Sequence, residues 1–272
     1  MYTDTSEKAF GCVFRFGEKR WMEQFIKGHF NFSCAGAYIE KAEHEGNNEQ
    51  GDKYEAVFAR LKKCDPRIND IKKRLKEDLE IIDDGQYVLL RRQSAKYIPT
   101  FCFFAYKKSD LEKGEFSKKT YCEDKKIYDI TLKFDPKMYS GFVQKFDKNV
   151  DKTDDKRCTM ALIELNPFIE NAKGFIKSAF GFFAGAKMDF INYEERAKDE
   201  FYIEPTGDYN ELFYKRPKYR YQHEARIVLR NIRFFSMYDR YDLITSEYDD
   251  NKCSCIDEMV EMHFGAHISS GL

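Results

Sequence analysis

This chain of 272 residues lacks an excess of charge of either sign, a paired cysteine motif, and a long apolar run. Lys and Arg total 46 against 47 Asp and Glu, for a net charge of -1. No global field therefore draws the protein onto nucleic acid or an anionic membrane, and any such binding has to be local. The 8 cysteines include no C-x-x-C pair. Several sit inside apolar runs such as Phe101-Cys102-Phe103-Phe104, where reduced, buried thiols are the default. No apolar run approaches the roughly 18 residues needed to span a bilayer. Met1-Tyr2-Thr3-Asp4-Thr5 lacks the basic-then-apolar pattern of a secretory signal. The expectation is a soluble cytoplasmic protein with no membrane partner. The sequence also lacks G-x-x-x-x-G-K-[ST], G-x-G-x-x-G, H-E-x-x-H and G-x-S-x-G, which removes support for ATPase, Rossmann dehydrogenase, zincin and α/β-hydrolase readings.

Apolar and aromatic residues are plentiful enough to bury a substantial core, read here as a single domain over 1–272. Gly11 to Phe16 alternates like a strand. Glu18 to Lys27 carries Trp21, Phe25 and Ile26 at helical spacing before Gly28. His29 to Ser33 reads as a second strand and Glu40 to Gly51 as a polar loop. Asp65-Pro66 opens a helix carrying Ile68, Ile71, Leu75 and Leu79. Strand-like runs recur at Gln86–Leu90, Tyr97–Tyr106, Ile127–Phe134 and Thr159–Leu165, with charged loops at 107–126 and 145–157. Phe168 to Ala186 reads as a buried helix or helix pair. The class is α+β, a mostly antiparallel twisted sheet with packed helices.

Tyr221-Gln222-His223-Glu224-Ala225-Arg226-Ile227-Val228-Leu229 carries the most information, because it puts a carboxylate inside an apparent strand. Alternation sets Tyr221, His223, Ala225, Ile227 and Leu229 on one face and Gln222, Glu224 and Arg226 on the other. An amide, an acid and a guanidinium in one row are costly to bury unless they pair with one another or face a ligand. The first strand sets Val13 and Arg15 apart from Cys12, Phe14 and Phe16. The second sets Asn31 and Ser33 apart from Phe30 and Phe32.

An Arg on an early strand, a Ser ending an aromatic strand and a late Gln-x-Glu form an ordered set that resembles the Arg–Ser–Glu signature of the ADP-ribosyltransferase fold. Ser33-Cys34-Ala35 keeps the first position of that family's Ser/Thr-x-Ser/Thr. Phe14-Arg15-Phe16, Gly28 to Ser33, Gln222 to Ile227 and Ile256 to Gly265 are also similar to a broad bacterial family of uncharacterised proteins, some carried by mobile or phage-defence loci. That resemblance implies that Arg15, Ser33, Glu224 and Arg226 share one site. Together the two imply an ADP-ribosyltransferase-like fold acting on NAD as substrate, a toxin or phage-defence effector with a neutralising partner protein.

Chemistry gives each residue a role. Cleavage of the nicotinamide–ribose bond passes through an oxocarbenium-like transition state, as in glycoside hydrolysis, which Glu224 would stabilise. Arg15 would clamp the pyrophosphate. Ser33, with Asn31 beside it, would orient the ribose or Glu224, and Gln222 would position the acceptor. In the resembling family, Gln-x-Glu goes with amide or nucleobase acceptors more than with arginine. No metal is expected. Each residue also has a plainer reading: an ion pair on the sheet for Arg15 and for Glu224–Arg226, and a strand-end cap for Ser33.

Between Tyr214 and Arg233, the cations Lys215, Arg216, Lys218, Arg220, Arg226, Arg230 and Arg233 accompany the single acid Glu224, interleaved with Tyr219 and Tyr221. Such a patch suits single-stranded RNA or DNA, with phosphates on the cations and bases on the rings at roughly 1–3 kcal/mol each. A solvated strand edge protected by Lys and Arg fits the same residues. Cys253, Cys255, His263 and His267 could ligate a metal, but the C-x-C spacing is shorter than usual for zinc. The functions left open are an ADP-ribosyltransferase modifying nucleic acid or protein, a non-catalytic nucleic-acid- or partner-binding module, and a metal-independent nuclease using Glu224 with His223. Alternation argues against the last by turning His223 to the opposite face.

Overall fold

Alternating apolar residues form β1 (Ala9–Glu18) in the computed structural model, which describes residues 9–44, 52–107, 118–122, 127–132, 158–180, 185–244, 248, 253–256 and 262–267. The short helix α1 (Lys19–Ile26) follows and ends at Gly28, whose φ of 85° suits a residue without Cβ. It hands the chain to β2 (His29–Cys34) and α2 (Ala35–His44). Then come β3 (Val57–Lys62), α3 (Arg67–Leu75), β4 (Leu79–Asp84), β5 (Tyr87–Arg92) and β6 (Pro99–Lys107). The next strands are β7 (Lys118–Cys122), β8 (Ile127–Leu132) and β9 (Cys158–Glu164), followed by α4 (Leu165–Phe180), β10 (Ala186–Phe190) and β11 (Phe201–Tyr202). The last four strands are β12 (Glu224–Leu229), β13 (Tyr241–Ile244), β14 (Cys253–Ile256) and β15 (Met262–His267).

An eight-stranded antiparallel sheet runs in the order β10-β12-β6-β1-β9-β14, with β2 on β6 and β13 on β2. β6 is its hub. On one side Thr100 to Phe104 pairs with Val228 to Glu224. On the other, Phe104 to Lys107 pairs with β1, while Pro99 and Thr100 pair with Cys34 and Ser33 of β2. β1 and β2 thus share one flank of β6 at different heights. A second sheet, β11-β3-β5-β4, carries α3, and a third runs β15-β8-β7.

Cross-strand partners share a sheet face, so the register separates two layers. Val13, Phe101, Phe103, Ala105, Ala161, Ile163, Ala225, Ile227 and Leu229 form one core with Met22 and Phe25 of α1 and Phe168 of α4. Its rings interlock, with Phe103 and Phe168 centroids 4.8 Å apart and Phe25 edge-on to Phe30 at 6.0 Å. On the other face Val228 meets Ala35, Ala56, Ala95, Ile98, Leu212 and Phe213. A separate core under the second sheet joins Phe58, Leu61, Leu89 and Leu90 to Ile68 and Ile71 of α3.

The α+β class and the antiparallel sheet follow the sequence expectation. Several boundaries differ. The run from Tyr221 is not all strand: Pro217–Gln222 is a 3-10 helix with proline in its first turn, and His223 turns left-handed at φ 46° before β12 begins at Glu224. The polar stretch from Glu40 begins inside α2, which buries Ala35, Ala37 and Ile39. Leu79 opens β4 rather than closing a helix, Ala186 opens β10, and β7 interrupts the stretch read as a loop over 107–126. The loop read at 145–157 lies outside the described residues.

Candidate functional site

Glu224 is the first residue of β12 and is 3% exposed. Its backbone N–H donates to the Tyr193 hydroxyl at 3.2 Å. One carboxylate oxygen accepts from Arg226 Nε at 2.6 Å and the other from Lys215 Nζ. Burial alone would push this carboxyl up, but the charges of Arg226 and Lys215 and their hydrogen bonds outweigh it and hold the group at about 2. Lys215 also donates to Gln222 Oε1 at 3.2 Å. Gln222 and Glu224 thus meet through an ammonium rather than by sharing a strand face.

Arg226 joins this group to the second sheet. Beyond Glu224, its terminal nitrogens donate to both oxygens of Glu55 and to Leu212 O. Burial works against its charge, while Glu224 and Glu55 raise it well above the ordinary arginine range. Glu55 comes from a turn in which Ala56 is left-handed at φ 59°. Two buried guanidiniums hold that turn by its carbonyls. Arg91 donates to Glu55 O at 3.0 Å and to Lys53 O, and Arg196 donates to Tyr54 O at 2.8 Å and to Val57 O. Buried charges persist only when paired and hydrogen-bonded: Arg91 also pairs with Glu80, whereas Arg196 is held by carbonyls alone and its Nε has no partner among the described residues.

The expected partners of Glu224 divide between the two faces. Ser33 pairs with Thr100, and Thr100 with Val228, which puts Ser33 on the Glu224 face, with Asn31 two residues earlier on the same side. Both are half-buried. Arg15 differs. Phe14 pairs with Phe104, and Phe104 with Glu224, so those three share a face, whereas Arg15 pairs with Ala161 on the helix-covered side. The expected common face for Arg15 and Glu224 is therefore corrected: Arg15 leaves the sheet with Phe30 and Phe32, not with Ser33.

The Arg15 guanidinium lies 4.4 Å from the Phe101 ring centroid and 5.5 Å from that of Phe25. Among the described residues it has no carboxylate partner. Burial lowers its pKa, opposed by Tyr38 and Cys102. Tyr38 of α2 donates to Cys102 Sγ at 3.6 Å. Burial raises the phenol well above its ordinary value, with Cys102 and Glu224 adding to the effect and Arg15 opposing it. Burial and then Glu224 push Cys102 up to about 11, against Arg226 and Lys215. The phenol and thiol thus lie within electrostatic reach of both Arg15 and Glu224. Sequence reading missed Tyr38, Cys102, Tyr193 and Glu55, which carry no motif and are identified only by the folded chain.

The basic segment is largely neutralised by acids distant in sequence. Arg216 pairs with Asp52, Arg220 with Glu194, Arg226 with Glu55, and Arg230 with Asp208. Arg233 donates to the Tyr209 hydroxyl at 2.8 Å. Lys215, Tyr219 and Arg226 are buried, Tyr221 is half-buried, and Lys218 and Arg220 are exposed. The segment read as a concentrated basic, aromatic patch is therefore largely ion-paired in the folded chain, with Lys218 exposed and without an ion pair among the described residues. Cys253 and Cys255 lie on β14 of the main sheet, and His263 and His267 on β15 of the third.

Among the described residues, no helix is long and apolar enough to cross a membrane. The arrangement offers a carboxylate that stays ionised in a buried setting and a guanidinium stacked on aromatic rings, on strands that flank β6. No protein-family model matches the chain, and neither do curated proteins or solved structures.

Proposed function

We propose that the chain is an NAD-dependent ADP-ribosyltransferase in which Glu224 stabilises the charge that develops at the ribose. The observation carrying this reading is the Glu224 carboxylate held at 3% exposure by hydrogen bonds from Arg226 and Lys215, together with an Arg15 guanidinium, two strands away across β6, that lacks a carboxylate partner among the described residues. A guanidinium without an anion fits a pyrophosphate, whose oxygens its planar donors match. When the C1′–N bond of NAD breaks, its electron pair leaves with nicotinamide, and the ribose carbon becomes electron-poor. A fixed carboxylate stabilises that carbon, and its effect is greatest where water is excluded. The acceptor nucleophile then bonds to C1′ and loses its proton. Gln222, held by Lys215, is the residue proposed to position that acceptor, in nucleic acid or protein, and a toxin or phage-defence role accords with such a transfer.

One observation favours a second reading, a non-catalytic partner-binding module. Both Glu224 oxygens are occupied, by Arg226 and Lys215, and Arg15 starts from the opposite face. In that reading the buried ions join the two sheets and do nothing more.

Labelled NAD offered to pooled RNA, DNA and protein separates the two. Transfer that falls roughly 100-fold or more in Glu224→Gln, with the variant still folded, supports the enzyme. Absence of transfer to any pool by the folded wild-type chain supports the module.

A further inference from the structure

We infer that Lys53, Arg216 and Lys218 form a phosphate-binding site beside the buried network, for a ligand that brings two or more negative charges on phosphate oxygens. Three cations gather on two neighbouring phenol rings. Arg216 Cζ lies 4.2 Å from the Tyr54 ring centroid and 5.6 Å from that of Tyr219. Lys53 Nζ lies 5.5 Å from the Tyr54 centroid, and Lys218 Nζ 4.8 Å from the Tyr219 centroid. Asp52 is the carboxylate that answers them, bonded to Arg216. Asp84, which accepts from the Tyr54 hydroxyl and from Arg60 and lies within electrostatic reach of Lys53, extends the count to four cations, Lys53, Arg60, Arg216 and Lys218, against two carboxylates, an excess of two positive charges.

This excess distinguishes the cluster from the rest of the basic segment, whose other arginines bond to acids or, for Arg233, to a tyrosine. Lys53 and Lys218 are exposed and have no ion pair among the described residues. Lys218 is held below the ordinary lysine range by burial and then by Arg216, with Asp52 opposing and Lys53 adding to the shift. A bound anion would relieve that repulsion.

The rings also set what the site can recognise. Arg216 lies over the half-buried Tyr54 ring, and Tyr219 is 3% exposed, so Tyr219 offers no face for a base to stack on. Recognition is left to the outer edge of Arg216, whose Nη2 is anchored on Asp52, and to the two exposed ammoniums. Lys215, next in the chain to Arg216, touches both Tyr219 and Glu224. A phosphate here would therefore sit beside the Glu224 network. The inference does not depend on NAD cleavage, because binding is measured without turnover.

The test is equilibrium binding by the full chain at low salt. The probes are inorganic pyrophosphate, ADP and a fluorescent oligothymidylate, offered to wild type and to the double variant Lys53→Gln/Lys218→Gln. Both lysines are exposed, so the unfolding midpoint should not move. The expected result is saturable binding that weakens about tenfold or more in the double variant. For the oligonucleotide, the slope of log K against log salt should flatten by about 1 per lysine removed. Tighter binding of pyrophosphate or ADP assigns the site to a nucleotide, and tighter binding of the oligonucleotide to a strand backbone. No saturable binding of any probe, or equal affinity in the double variant, overturns the inference. Binding that weakens in Arg15→Ala but not in Lys53→Gln/Lys218→Gln would place the phosphate in the proposed NAD site instead and overturn the inference.

Discussion

Glu55 and Arg226 meet carboxylate to guanidinium across 171 positions of sequence, each side chain 1% exposed. Arg226 in turn holds Glu224, so a turn beside the second sheet orients the carboxylate at the start of β12. Removing one partner leaves a buried charge without its counter-ion. Glu55→Gln should destabilise the fold by about 3–5 kcal/mol, whereas replacing the pair with apolar residues of similar volume should restore part of that loss. Urea unfolding of the single and double variants measures both. A Glu55→Gln chain as stable as wild type would mean that the Glu55–Arg226 pair contributes no net stability to the fold.

Glu224 makes stability depend on pH in a defined window. Its folded pKa of about 2 lies below the ordinary 4.5, so the unfolded chain takes up the proton first as pH falls. The contribution is fully present above about 4.5 and is lost between there and about 2, each unit being worth roughly 1.4 kcal/mol. The stability gap between wild type and Glu224→Gln should therefore shrink as urea unfolding is repeated at pH 7, 4 and 3. A constant gap would show that Glu224 is not held ionised by the fold.

The thiols give an independent check on packing. Cys64 is exposed, whereas Cys12 and Cys34 are buried and burial pushes Cys12 up to about 12. Since the thiolate is the reacting form, iodoacetamide should label Cys64 in the native protein and spare Cys12 and Cys34 until denaturant is added. Peptide mass spectrometry reads the pattern. Early labelling of Cys12 would place β1 elsewhere than in the sheet core.

The opening strand–helix–strand was legible because Phe14, Phe16, Phe30 and Phe32 alternate cleanly and Gly28 marks the turn between α1 and β2. Ala225, Ile227 and Leu229 likewise disclosed the core face of β12. Alternation misled at Gln222, because a left-handed His223 resets the phase just before the strand. It separated Arg15 from its neighbours correctly, but it has no means of saying which face of β2 or β12 matches which face of β1. That depends on register against β6. Glu55, Asp52, Glu194 and Asp208 were beyond reach for a different reason: each neutralises an arginine far away in sequence, so most of the basic character of segment 214–233 disappears once the chain is folded.

NAD affinity should separate binding from chemistry. Arg15→Ala removes the proposed pyrophosphate clamp and should weaken NAD binding about tenfold, in line with the roughly 1.5–3 kcal/mol of a hydrogen bond to a charged group. Gln222→Ala should leave NAD affinity unchanged and reduce transfer more than hydrolysis, since water can still attack. Calorimetric titration with NAD reads the first effect. Equal NAD affinity in Arg15→Ala and wild type would remove Arg15 from the site.

Release of nicotinamide from NAD, followed by chromatography with wild type and Glu224→Gln at equal folded concentration, tests the central claim most directly. Glu224→Gln keeps the shape of the side chain and removes its charge, so release should be measurable in wild type and fall by roughly 100-fold or more in the variant, with NAD affinity nearly unchanged. Equal release by both proteins, or none by a folded wild type that still binds NAD, would contradict a catalytic Glu224.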